Sequence, residues 1–166
     1  KGLWTLPLSQ GGRALSIISS RGCPFSCDFC ASANFWHRKS FVREPENVIE
    51  EILYFLKNDK MDSFMFEDDN FTLIPRRAIE ICEGIETKIR PYYSNLKWQA
   101  ASRAESLIND NLCHALVNAG CTHVWLGIES GSQDMLACCT KGTTTEKMLE
   151  GIMNAERYGL RTVGQF

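Results

Sequence analysis

The stretch Arg21-Gly22-Cys23-Pro24-Phe25-Ser26-Cys27-Asp28-Phe29-Cys30 puts three cysteines within eight positions, separated by three residues and then by two. Gly22 and Pro24 flank the first thiol, so the stretch reads as a loop, not as helix or strand. A loop with thiols this close can turn all three sulfurs onto one small object. The metals that favour several thiolates are zinc, copper(I) and iron in an iron–sulfur cluster. A closed structural zinc site needs four ligands. No fourth cysteine or histidine stands close behind Cys30, and His37 is the nearest candidate. A cube-shaped 4Fe–4S cluster on three thiolates would instead keep one iron open to a small molecule.

The loop sits between two different kinds of sequence. Before it, Ala14 to Ser19 is a short apolar, β-branched run that predicts a strand, preceded by a mixed lead-in over residues 1–13. After it, residues 31–44 continue the loop and carry Phe35, Trp36, His37, Arg38, Lys39 and Arg43. A basic, aromatic loop can face an anionic or planar ligand, or be a solvated loop with its aromatics tucked under.

Further along, strand-like and helix-like segments alternate. Pro45-Glu46 opens a helix whose apolar face is Val48, Ile49, Ile52, Leu53, Phe55 and Leu56. Asp62 to Glu67 reads as a second strand, and Pro75 opens a second helix with Ala78, Ile79, Ile81, Cys82, Ile85 and Ile89 inward. Lys97 to Ala101 is a third strand. Asn109 or Asp110 caps a third helix that carries Leu112, Cys113, Leu116 and Val117 on one face and ends at Gly120. Thr122 to Ile128 is a fourth strand, followed by helical pieces over residues 133–138 and 145–158 and a fifth strand from Leu160 to Phe166. Four strand–helix units and one more strand imply an α/β fold with a parallel sheet. The alternation alone leaves open a doubly wound sheet or a (β/α) barrel.

In parallel α/β folds, sites form at the C-terminal ends of strands. The notable polar residues fall at those ends: the three cysteines, then Glu67 to Asn70, then Ser102 and Arg103, then Glu129 and Ser130. Each also has a plainer reading. Asp68-Asp69-Asn70 makes an ordinary turn, and Arg103 with Glu129 makes a structural ion pair.

With 166 residues, 44% apolar content and a formal charge of −2, the chain suits one soluble domain with a sizeable core. The charge balance implies neither nucleic acid nor a membrane surface as partner. No apolar run reaches the roughly 18 residues that span a bilayer, and no signal-like start is present. Eight cysteines, only three of them clustered, in a chain of ordinary helix and strand patterning point to a reducing compartment, the cytoplasm. Cys82, Cys113 and Cys121 read as small core residues, and one of the adjacent pair Cys138 and Cys139 should be exposed. The start at Lys1 and the stop at Gln165-Phe166 inside an apolar run lead us to expect a piece of a longer protein.

The Cys-x-x-x-Cys-x-x-Cys spacing, with Phe29 before the last cysteine, resembles the cluster loop of the radical S-adenosylmethionine superfamily. The resemblance runs from about Leu3 to the last residue, and it chooses between the two architectures: a partial (β/α) TIM-like barrel of four units plus a fifth strand, truncated, with residues 1–166 as a core-domain piece. It implies that Cys23, Cys27 and Cys30 hold a 4Fe–4S cluster. The cluster's open iron would take S-adenosylmethionine, whose reductive cleavage gives a 5′-deoxyadenosyl radical. Phe66 to Phe71 is similar to the superfamily's amine-binding element, so Asp68, Asp69 and Asn70 would receive the amino group. Gly127-Ile128-Glu129-Ser130-Gly131 is similar to the ribose and carboxylate element. Arg103 or Ser130 would meet those groups, with Glu129 nearby and Phe29 by the adenine. The Arg21-to-Phe25 loop, the Asp68-to-Thr72 turn, the Gly127-to-Gly131 element and Lys141-Gly142 most resemble the cobalamin-dependent subgroup, with cobalamin bound through a further domain. The partners so implied are a small-molecule substrate and an electron donor such as flavodoxin or ferredoxin. The alternative remains a zinc-binding or non-catalytic metal-binding module on the three cysteines, with His37 as the candidate fourth ligand.

Overall fold

The structure is a computed structural model and describes residues 13–59 and 61–166. The expected lead-in, apart from Arg13, lies outside the described residues. Five strands form one parallel sheet: β1 (Arg13–Ile17), β4 (Met61–Phe66), β5 (Lys97–Ser102), β6 (Cys121–Gly127) and β7 (Arg161–Gln165), side by side in that order. Each strand lies next to its predecessor in the chain, and the order never reverses. A doubly wound sheet needs such a reversal, so the order is that of a barrel arc. β1 and β7 are its two edges, which leaves the arc split as expected for a partial barrel.

The crossovers carry α2 (Pro45–Asn58), α3 (Pro75–Gly84), α4 (Asp110–Asn118), α5 (Gln133–Cys138) and α6 (Thr145–Arg157). Pro45 and Pro75 sit in the first turns of α2 and α3, where a missing N–H costs nothing. Asn109 caps α4 by accepting from the Leu112 amide. Gly120 and Gly159 have positive φ just beyond the helices they end. The core lies between the sheet and these helices. Phe64, Phe66, Phe71 and Trp98 meet there, Phe64 stacked on Trp98 at 5.8 Å and Phe66 on Phe71 at 4.5 Å. Cys82, Cys113 and Cys121 are buried among the core residues, and Cys138 is exposed.

Four features differ from the sequence expectations. The first strand ends at Ile17, and the chain bends before a separate two-residue strand, β2 (Ser20–Arg21). Residues 31–44 are not continuous loop: they hold α1 (Ala31–Phe35) and β3 (Phe41–Val42), which pairs antiparallel with β2. Val117 is exposed, because α4 packs through Leu112, Cys113, Ala115 and Leu116. Between β5 and α4 the chain makes a 3-10 turn over Ala104–Ile108, and α3 runs on through a π turn at Ile85–Ile89. Irregular turns of this kind leave little trace in hydrophobic periodicity.

Candidate functional site

The segments that follow β1 and β4 and the C-terminal ends of β5, β6 and β7 line one cavity of ≈ 160 Å³. Cys23, Cys27 and Cys30 all line it, and from the strand ends so do Asp69, Asn70, Arg103 and Glu129. Phe29 lines it too and is 54% exposed. The site residues named from sequence are thus brought together, with two exceptions.

Asp68 is the first exception. It is 3% exposed and does not line the cavity. Its carboxylate accepts from the Ser19 amide at 2.7 Å, the Ser19 hydroxyl at 2.6 Å and the Ser20 hydroxyl. A buried carboxylate must be compensated by donors, and these come from the bend that ended the first strand early. Arg77, also buried, donates to the carbonyl oxygen of Ser19 at 2.7 Å from the other side. Asp68 therefore fastens the chain entering the cysteine loop. Ser130 is the second exception: its hydroxyl accepts from the Ser132 amide at the start of α5, away from the cavity.

Asp69 accepts from the Gly22 amide at 2.7 Å, one residue before Cys23. Gly22 has φ +84°, and a Cβ there would run into the Lys39 carbonyl oxygen. Glycine is thus required both for the turn and for the close approach of the 36–39 segment. On its far limb the loop is tied to the segment after α5. The Asp28 amide donates to the Cys139 carbonyl at 3.2 Å, and Thr140 Oγ1 donates to Asp28 Oδ2 at 2.6 Å. Thr140 and Glu129 both hold positive φ, conformations that non-glycine residues keep only where their surroundings enforce them.

The plainer reading of Arg103 and Glu129 as an ion pair does not hold. Arg103 pairs with Glu105, two residues on, and Lys141 Nζ donates to Glu129 Oε1 at 2.9 Å. Both cations are nearly buried, Arg103 at 6% and Lys141 at 5%. Burial raises the Cys23 thiol above its ordinary range, opposed first by a backbone hydrogen bond from Phe25 and then by the charge of Arg103. A protonated thiol must release its proton on binding a metal, so loading at Cys23 takes up base.

Ser102, noted at the end of its strand, also lines the cavity, as do Trp125, Lys141 and Gln165, which were not singled out as site residues from sequence. Trp125 had a readable signal: it alternates with core-facing Val124 and Leu126 and so points to the inner face. Its indole N–H donates to buried Gln99 at 2.8 Å. Lys141 was noted only as part of the Lys141-Gly142 resemblance, because its place in a break between two helices gives no sign of the cavity. His37 is exposed, with φ +52°, and does not line the cavity. Among the described residues, no three His, Cys, Asp or Glu side chains gather as ligands to a single metal ion.

A sequence profile of the radical SAM superfamily matches residues 17–166. The chain belongs to the radical SAM superfamily. Two relatives match over most of the chain. An uncharacterized methyltransferase of Pyrococcus horikoshii is 33% identical over 150 residues, covering 90% of this chain and 32% of that protein. An anaerobic magnesium-protoporphyrin IX monomethyl ester cyclase of Rubrivivax gelatinosus is 31% identical over 148 residues, covering 89% and 26%. Among solved structures, the radical S-adenosylmethionine methyltransferase TsrM of Kitasatospora setae superposes with a TM-score of 0.81 at 20% identity, covering 92% of this chain and 30% of that one. At that identity the likeness concerns the fold, and the fold is that of a partial TIM-like radical SAM barrel. The chain spans about a third or less of the length of these proteins. No helix among the described residues is long and apolar enough to cross a membrane.

Proposed function

We propose that this chain is the core of a radical SAM enzyme in which Cys23, Cys27 and Cys30 hold a 4Fe–4S cluster that cleaves S-adenosylmethionine. The observation that carries the reading is the convergence of all three thiols on the cavity at the strand ends, with His37 left outside. The residues fit such a cluster. Ligands to one zinc ion would crowd around a single point, whereas a cube spreads its thiolates over different irons. His37, the candidate fourth ligand of the zinc alternative, does not line the cavity. A cavity of ≈ 160 Å³ is below the roughly 300–1,000 Å³ of a drug-sized pocket, so it suits a compact inorganic group with the larger cofactor at its mouth.

When bound, the cluster supplies the single electron that breaks a sulfur–carbon bond of S-adenosylmethionine. The chain's own part is to hold and orient. Asp69 and Asn70 face the cavity from the end of β4 and offer oxygens to an ammonium group. Glu129 and Lys141, fixed on each other, offer one charge of each sign near the ribose and carboxylate. Phe29 lines the cavity and is exposed, so a planar base can lie on its ring. Trp125, held by Gln99, walls the inner face.

The full-length enzyme would act as a methyltransferase or related catalyst on a small molecule. Its single electrons would come from a donor such as flavodoxin or ferredoxin in the cytoplasm. Cobalamin bound by a further domain is supported by TsrM, solved with cobalamin and a [4Fe–4S] cluster. The test is anaerobic reconstitution of the full-length protein with iron and sulfide. About four irons per chain are expected to bind here, and Cys27→Ala should abolish the brown colour. Zinc at one per chain, or colour that survives Cys27→Ala, contradicts the assignment.

A further inference from the structure

Sequence resemblance assigned Arg103 to the carboxylate or ribose of S-adenosylmethionine. Its surroundings give it different work. Each of its three guanidinium nitrogens already has a partner within the chain. Nε donates to Glu105, Nη2 donates to the Lys141 carbonyl oxygen, and Nη1 lies 3.9 Å from Cys27 Sγ. The guanidinium plane lies over the Phe25 ring at 4.0 Å, inside the cysteine loop itself. Cys27 is 8% exposed and Arg103 is 6% exposed, so little water stands between cation and sulfur. A fork held at every nitrogen and stacked on an aromatic face is fixed in place, and it cannot swing out towards a ligand without breaking those contacts.

We propose that Arg103 sets the reduction potential of the cluster from its place on Cys27. This rests on the reading that Cys27 is a cluster ligand. A positive charge and an N–H donor at a ligand sulfur stabilise the reduced, more negative state, because cluster potentials follow the charge and the hydrogen bonds around the sulfurs. Glu105 works against it. Its carboxylate holds the Nε side and partly cancels the cation, and its other oxygen, Oε2, is buried with no hydrogen-bond partner among the described residues. Arg103 and Glu105 therefore form an oriented pair with the positive end towards the cluster. The two residues pull the potential in opposite directions.

That opposition supplies the test. Full-length protein is reconstituted, and the cluster is titrated with a chemical reductant against redox mediators, followed by EPR. Affinity for S-adenosylmethionine is measured separately by calorimetry on the same preparations. Arg103→Met, which keeps the bulk against Phe25 but removes the charge, should lower the reduced-to-oxidised ratio at fixed potential about tenfold, a shift of about 59 mV to lower potential for a one-electron couple. Glu105→Gln, which lies outside the cavity, should move the potential the other way. In both variants the affinity for S-adenosylmethionine should stay within about twofold, a change worth less than 0.6 kcal/mol. Unchanged potentials, or shifts of the same sign in both variants, overturn the proposal. So does a loss of S-adenosylmethionine affinity in Arg103→Met at constant potential, which would return Arg103 to the cofactor. If Arg103→Met fails to fold, Glu105→Gln alone decides by the sign of its shift. A wild-type protein that takes up no cluster overturns the underlying reading, whereas a loaded wild type with unshifted variants overturns only the role of Arg103.

Discussion

Gly22 shows how one residue can be bound to several constraints. Its φ of +84° suits glycine, its missing Cβ admits the Lys39 carbonyl, and its amide donates to Asp69. Gly22→Ala meets both the left-handed backbone penalty and a backbone atom that cannot retreat cheaply. A loss of at least about 2 kcal/mol in chemical denaturation is expected, together with poorer iron uptake. An alanine variant as stable as wild type would mean that the 36–39 segment does not press on the loop. The spacing of Cys23, Cys27 and Cys30 was plain from the sequence, because ligand chemistry is written in residue types at short range. The division of work within Asp68-Asp69-Asn70 was not. Three polar residues after a strand read alike until the bend at Ser19 shows which of them is occupied. The Lys141 carbonyl that holds Arg103 and the Glu129 carboxylate that holds Lys141 lie 38 and 12 residues away and leave no local signature.

The elements themselves were largely legible, since most strands are short apolar runs and each long helix has an apolar face and a proline or glycine at one end. What escaped was short: α1, the β2–β3 ribbon and the 3-10 turn after β5. That turn carries the residues following Arg103, and α6 packs directly on it. A Cβ at Gly151 in α6 would strike the Ala104 carbonyl oxygen, and Ala104 is fully buried. In an exposed helix, replacing glycine by alanine gains up to about 1 kcal/mol. Here the sign should invert, and Gly151→Ala should lose about 1–3 kcal/mol in thermal or chemical unfolding, because the atom struck is backbone and the core has no slack. A stabilised Gly151→Ala variant would show that α6 and the turn can separate without cost. Asn154, one turn further along α6, donates to the Leu107 carbonyl at 2.9 Å and fixes the same junction.

For the molecule as a whole, alternation of strand and helix could not choose between an open sheet and a barrel. Strand order does, and order is a long-range property that no local window contains. The arc brings the ends of β1, β4, β5 and β6 to one rim, and residues far apart in the chain become the lining of one cavity. The central demand of the proposed function is a cluster with one iron that no side chain covers. The most direct measurement is the EPR spectrum of the reduced, reconstituted full-length protein before and after S-adenosylmethionine is added. The account predicts a changed spectrum as the cofactor's amine and carboxylate take the bare iron; an identical spectrum at saturating S-adenosylmethionine would contradict it.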